Sequence, residues 1–164
     1  MKTSDIKEKQ FLQTIKDYEG VLKRVCFMYS SPSAPFEDLY QEVLANLWNG
    51  IDSFRGEAKI STWIYRTAIN TCVTWHRRNS RHHGGVPIDA MIETICDEND
   101  IETRQNLADI YMLISRLNPL EKAIIMMWLD QKSYEEISYV TGLTHRAVAT
   151  RIHRIKIKLK DDAG

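Results

Sequence analysis

The chain has 164 residues, with 22 basic and 22 acidic side chains and a formal net charge of zero, which permits a real core in one domain or two small ones and excludes a uniformly basic nucleic-acid binder. Its 3 cysteines, Cys26, Cys72 and Cys96, are odd in number and widely spaced, which excludes a disulfide framework and fits a reducing cytosol. No apolar run reaches membrane-span length and MKTSDIKEKQ lacks signal-peptide character, so neither membrane insertion nor export is expected.

Helical spacing recurs along the chain, and no sustained two-residue alternation marks a strand. Phe11, Leu12, Ile15, Tyr18, Leu22 and Val25 predict one amphipathic helix. The prolines and serines of SSPSAP interrupt it with a loop that ends at Phe36. Leu39, Val43, Leu44, Leu47 and Trp48 predict a second helix over Glu37 to Asn49. A turn region around Gly56 follows, and Ser61 or Thr62 opens a third helix that runs to about Arg78. RHHGGVP breaks the pattern at Gly84, Gly85 and Pro87. The next stretch is acidic: Asp89, Glu93, Asp97, Glu98, Asp100, Glu102 and Asp109 stand against Arg104 alone. Helical spacing resumes at Ile101, Leu107, Ile110, Leu113, Ile114 and Leu117. Asn118-Pro119 starts another helix, with proline at a first-turn position and an apolar face of Leu120, Ile124, Ile125, Met127 and Trp128. The expected fold is all-α. Two small helical domains, residues 1–80 and 101–164, are joined by an acidic linker at 81–100.

The C-terminal residues carry the most specific local pattern. Ser133 and Glu136 have capping-box spacing. Ile137 and Val140 form the apolar face of a short helix, which Gly142 ends with a left-handed or closely packed backbone. Thr144 caps a longer helix, in which Val148, Ile152, Ile155 and Leu159 fall on one stripe. Ser138, Gly142 and Val148 are spaced as two helices need to cross around a tight turn, so the segment reads as a helix-turn-helix. No acidic residue occurs from His145 to Lys160. One apolar edge with a basic remainder suits the major groove; a solvated basic face of an ordinary amphipathic helix is the plainer reading of the charges alone.

In the N-terminal half, Ile64, Ala68, Thr71, Cys72 and Trp75 cluster on one side of the third helix. Arg66, Asn70, Val73 and Arg77 lie opposite, with Trp63 beside them and Arg78 and Arg81 beyond. Arginines, an amide and aromatics on one stripe can hold phosphates and stack or read bases. The preceding loop, SFRGEAKIST, combines a glycine with flanking aromatics and suits an unstacked base. On the second helix, Asp38, Gln41 and Glu42, with Ala45 and Trp48 nearby, form an acidic-amide patch suited to a basic protein surface. Each of these stripes also admits the plainer reading of a solvated face.

Taken together, DLYQEVLANLW, IDSFRGEAKISTWIYRTAINT and LNPLEKAIIMMWLDQKSYEEISYVTGLTHRAVATRIHRIKIKLK resemble the extracytoplasmic-function (ECF) subfamily of bacterial RNA polymerase sigma factors. The likeness runs in family order from about Phe11 to Lys160. It implies a cytoplasmic, non-enzymatic protein without cofactor or metal. This protein would bind the core polymerase through the β′ clamp and β subunits and direct promoter-specific initiation on double-stranded and melted single-stranded DNA; an anti-sigma partner is common in the family. By position, Asp38, Gln41, Glu42 and Trp48 would bind core polymerase. Phe54, Arg55, Gly56, Lys59, Ser61, Thr62, Trp63, Arg66, Asn70, Arg77 and Arg78 would bind the −10 element, the Phe54-to-Thr62 loop capturing a flipped base. Thr144, His145, Arg146, Ala149, Thr150, Arg151, His153, Arg154 and Lys158 would bind the −35 element. The chain departs from the family at Ala147, where Thr is common, and at Ala149, where a long polar residue is common. These alanines favour thymine-methyl contacts over hydrogen bonds. The linker, about twenty residues long, can span roughly 60 Å when extended. Only four residues follow Lys160, so no added C-terminal sensing domain is expected.

Two other readings of the sequence remain open. A free-standing helix-turn-helix repressor or activator would need a dimerisation surface or effector pocket from the first half. A small metalloenzyme would use Cys72 and His76, at helical zinc-ligand spacing, with His82, His83 and Cys96.

Overall fold

The computed structural model describes residues 2–78 and 101–164, the side chains of the second block from residue 105 onward. The predicted linker at 81–100, with His82, His83 and Cys96, lies outside the described residues. Among the described residues, eight α-helices follow in order: α1 Lys2–Asp17, α2 Glu19–Tyr29, α3 Phe36–Gly50, α4 Ile60–Arg78, α5 Ile101–Ser115, α6 Pro119–Leu129, α7 Tyr134–Thr141 and α8 His145–Ala163. A single 3-10 turn, Ile51–Ser53, follows α3. The only strand-like pairing among the described residues is an isolated bridge between Ser31 and Ala34 in the proline-rich loop.

The apolar spacing from Phe11 to Val25 forms two helices rather than the one expected. Tyr18 leaves helical geometry at φ −111°, ψ 17°. The two sides of the break have different tasks. Leu22, Val25, Cys26 and Tyr29 of α2 enter the core, whereas α1 buries no residue fully and Leu12 is 58% exposed. The bend at Tyr18 turns Phe11 onto the Trp48 ring, edge to face at 5.1 Å. Lys7 lies over the same ring and pairs with Asp52 at 2.6 Å.

The first helical set, α1–α4, is built around α4, which packs on both α2 and α3. Leu39, Val43 and Leu47 of α3 and Ile64, Ala68 and Cys72 of α4 are fully buried. The second set, α5–α8, gathers Ile124, Ile125, Met127, Ile137, Val148, Ile152 and Ile155. Local chemistry sets its helix starts. Asn118 and Ser133 each make a reciprocal capping box, with Glu121 and Glu136, and Thr144 accepts from the Ala147 amide. Each such cap stabilises its helix by about 1 kcal/mol. Gly142 adopts φ +78°. A Cβ there would meet nothing within 4 Å, so backbone conformation rather than close packing requires the glycine.

The two sets are in contact. The Tyr29 hydroxyl donates to the Pro119 carbonyl at 2.6 Å, and Lys122 Nζ donates to the Met28 carbonyl at 3.0 Å. Burial lowers the Lys122 pKa from its ordinary value. Helix α4 also packs along α7, and Tyr65 and Ile69, which lie beside the stripe expected to face the core, are buried as well.

Candidate nucleic-acid interface

The turn after α3 and the outer side of α4 enclose a cavity of about 360 Å³. Phe54, Arg55, Trp63, Arg66 and Asn70, all predicted −10 residues, line it together with Ser53, Glu57, Ala58, Thr67 and Tyr139. The Phe54 and Trp63 rings stand 5.2 Å apart at 40° and form an aromatic corner. Gly56, at φ +75°, turns the chain beside them, and a Cβ there would meet nothing within 4 Å. Arg66 and Asn70 are exposed one helical turn apart. Arg77 and Arg78 are exposed in the last turn of α4, where cations suit the negative end of the helix dipole. The arrangement supplies cations for phosphates, an amide for a base edge and a stacking surface.

Three of the expected −10 residues are placed differently from a simple exposed stripe. Thr62 is buried, 1% exposed, so its side chain lies behind the face rather than on it; its hydroxyl oxygen has no hydrogen-bond partner. Ser61 accepts from Lys132 Nζ at 3.0 Å. Lys59 stands 3.4 Å from Glu136 Oε1. Burial alone would raise the Glu136 pKa, but the Ser133 amide and Lys59 hold it below its ordinary value.

A second concave surface lies on α8. Thr144, Arg146, Ala147, Thr150, Arg151 and Arg154 line it, which brings together five of the expected −35 residues. The opposite stripe, Val148, Ile152 and Ile155, is buried, so the guanidinium groups point away from the core. The Thr150 hydroxyl donates to the Arg146 carbonyl at 3.0 Å and keeps its acceptor lone pairs. His145 and His153 are exposed and Ala149 is half-buried, none of them lining that surface. Lys158 is directed elsewhere, 3.5 Å from Glu121 of α6.

On α3, Asp38, Gln41 and Glu42 are exposed. Trp48, expected in the same patch, is half-buried under Phe11 and Lys7 of α1. The carboxylates therefore remain open to a partner while the indole is already covered.

The zinc-ligand spacing of Cys72 and His76 is used for packing. Cys72 is fully buried against Cys26, and that contact together with burial raises its pKa well above the ordinary thiol value. The His76 Nε2 bonds the Tyr29 carbonyl oxygen. No group of three or more His, Cys, Asp or Glu side chains suited to a metal ion occurs among the described residues. No described helix is long and apolar enough to cross a membrane.

Sequence reasoning missed Tyr139. It comes from α7 yet forms one wall of the cavity on α4, with its ring 4.8 Å from the Arg66 guanidinium. A signal existed: Tyr139 stands outside the Ile137–Val140 stripe, and an aromatic there needs a second surface to cover it.

Comparison with known proteins agrees with this geometry. Residues 14–82 match the family model for Sigma-70 region 2, and residues 107–159 match that for Sigma-70, region 4. The RNA polymerase sigma factor YlaC of Bacillus subtilis is 26% identical over 136 residues, 76% of this chain and 75% of that protein. The ECF RNA polymerase sigma-E factor of Escherichia coli K12 is 28% identical over 137 residues, 76% of this chain and 72% of that protein. Among solved structures, the sigma factor RpoE from Bartonella quintana, in complex with the anti-sigma factor NepR, superposes with a TM-score of 0.75 at 20% identity, covering 93% of this chain and 96% of that one. CnrH, in complex with the cytosolic domain of CnrY, gives 0.66 at 19% identity, covering 94% of this chain and 87% of that one. With two sigma-specific segments matched in order and two faces that offer groups for DNA, the chain belongs to the ECF group of the sigma-70 family of RNA polymerase sigma factors.

Proposed function

We propose that this sigma factor divides promoter recognition between the two concave surfaces, each half of the chain supplying one. Residues 1–80 form the unit that binds core polymerase and opens the −10 element; residues 101–164 form the unit that reads the −35 element, with 81–100 as the connector. The observation that carries this reading is the gathering of Phe54, Trp63, Arg66 and Asn70 around one cavity in the first half and of Arg146, Thr150, Arg151 and Arg154 on one helix face in the second. A melted base has an aromatic corner to enter and cations for its phosphates. A duplex meets a capped basic helix of the kind that lies in a major groove.

The exposed Asp38, Gln41 and Glu42 face a basic surface of core polymerase, and Trp48 supports that helix through α1. The chain's groups bind and position; bond making belongs to the polymerase, so we assign no catalytic activity, cofactor or metal. Its place of action is the cytoplasm, where the polymerase is, and its partners are core polymerase, promoter DNA and an anti-sigma protein, as NepR is for the Bartonella quintana RpoE.

Transcription from genomic fragments by purified core polymerase plus this chain tests the reading. Initiation at discrete sites is expected. Asp38→Arg should weaken core binding with helicity unchanged, and Arg146→Ala should change which −35 sequences are used. Initiation independent of the added chain would refute it.

A further inference from the structure

Helix α7 is the first helix of the helix-turn-helix, yet its outward side lies along α4. The contacts are polar and specific. Lys59 pairs with Glu136 at 3.4 Å, Lys132 donates to Ser61 at 3.0 Å, and the Tyr65 hydroxyl donates to Asp130, just before α7, at 2.6 Å. Tyr139 lies against the Arg66 guanidinium and closes one side of the −10 cavity. Lys59, Ser61 and Arg66 are three of the groups assigned above to −10 DNA. A guanidinium face that carries a tyrosine ring cannot carry a base there as well. An ammonium beside a carboxylate occupies the place where a phosphate would be neutralised. Helix α7 thus offers the α4 face an aromatic ring and an anion, the same two chemistries that a nucleotide of a single strand offers.

We propose that α7 is an intramolecular competitor for single-stranded DNA. In the closed chain it occupies the −10 face, and α7 and the melted strand hold that face in turn, never together. The inference rests on the assignment of that face to −10 DNA. Its design favours release. The Lys59 side chain is 79% exposed, so its ion pair is weak and screened by salt. The same glutamate closes the α7 capping box through its other oxygen, Oε2, which accepts from the Ser133 amide at 2.9 Å. Breaking the α4 contact therefore leaves the helix cap intact. Freed α7 remains a folded part of the DNA reader.

The test uses the full chain, a fluorescein-labelled random-sequence single-stranded DNA pool read by anisotropy, and zero-length carbodiimide crosslinking read by mass spectrometry. Tyr139→Ala and Lys132→Ala remove contacts from the α7 side and leave α4 untouched; Arg66→Ala is the control on the DNA side. A Lys59–Glu136 crosslink is expected in the free protein and should disappear as DNA saturates it. The two α7-side variants together should bind the pool about tenfold more tightly, the ratio set by roughly 1.4 kcal/mol, and Arg66→Ala should bind more weakly than the parent. Undiminished crosslinking in protein whose DNA binding depends on Arg66 would overturn mutual exclusion while leaving the −10 assignment standing. No crosslink in the free chain, with parental affinity in the α7-side variants, would overturn the closed contact. If DNA affinity is indifferent to Arg66 throughout, the −10 assignment falls and the competition with it. Lys132→Ala alone, at a half-buried surface position, serves if Tyr139→Ala alters the circular dichroism.

Discussion

The helix-turn-helix and the α4 face are both candidate DNA readers, but they are held in place by different physics. The helix-turn-helix is organised by neighbours in sequence. Ser133 and Thr144 cap its helices, Gly142 makes its turn, and a 3.6-residue stripe supplies its core side. The α4 face is organised by residues far away in the chain: Asp130, Lys132, Glu136 and Tyr139 come to it from the other half. A reader built from local signals presents its cations to solvent. A reader built from distant contacts has several of its groups already engaged, and its availability depends on how the halves sit.

The largest expected effect tests whether the two halves are energetically separate. Ile152, 2% exposed, belongs to the core of the second set. Ile152→Ala should cost about 2–5 kcal/mol and lower one shared calorimetric transition, because the sets are joined through α4–α7 and α2–α6. Two resolved transitions with only one shifted would show the contacts to be too weak to couple them. Next, Asn70→Ala should reduce promoter opening by about 1–3 kcal/mol, the value of one good base contact, with core binding unchanged. Permanganate reactivity at the −10 element reports this, and full opening at limiting protein would remove Asn70 from the reader.

Gly142→Ala forces a left-handed backbone on a residue with a Cβ, at about 1–2 kcal/mol. Duplex −35 affinity should fall while single-strand affinity does not; equal losses in both would make the turn a global support rather than a local one. A smaller effect separates cations on α8. Arg154→Ala should reduce the salt dependence of duplex binding by about one unit of slope, as for one phosphate contact. Lys158→Ala should reduce it less, since Glu121 already faces that ammonium.

The smallest effect is that of pH. Glu136 has a lowered pKa in the folded chain, with an ordinary value of 4.5. Its stabilising contribution is therefore complete above about 4.5 and is lost as pH falls through the lower folded value. The Lys59–Glu136 crosslink and the start of α7 should weaken over the same acid range. Glu136→Gln should flatten that dependence, measured by circular dichroism at 222 nm.

What could be read from the sequence follows the same division. Capping boxes, the αL glycine and the Val148–Ile152–Ile155 stripe act within a few residues, so their spacing exposes them directly. The all-α class and the limits of α4 follow from periodicity in the same way. The break at Tyr18 was hidden because apolar spacing continues across it; only the separate destinations of Phe11 and Leu22 reveal it. The burial of Thr62 and the covering of Trp48 depend on how helices cross. So do the engagement of Lys59, Ser61 and Arg66 and the arrival of Tyr139. Periodicity within one helix cannot show which partner takes its second side. The breadth of the apolar face of α4, from Ile64 and Tyr65 round to Ala68, Ile69 and Cys72, was the available hint that several neighbours share it.

Cys26 and Cys72 face each other across the α2–α4 contact with no solvent-exposed surface. A thiol reagent can reach them only when that contact opens, and the Cys26 contact together with burial makes Cys72 a poor thiolate at neutral pH. In a Cys96→Ser chain, the pair becomes an internal clock. Its slow modification counts the moments at which the first half breathes, and a shift of that rate on adding core polymerase or DNA would measure how far each ligand quiets the motion.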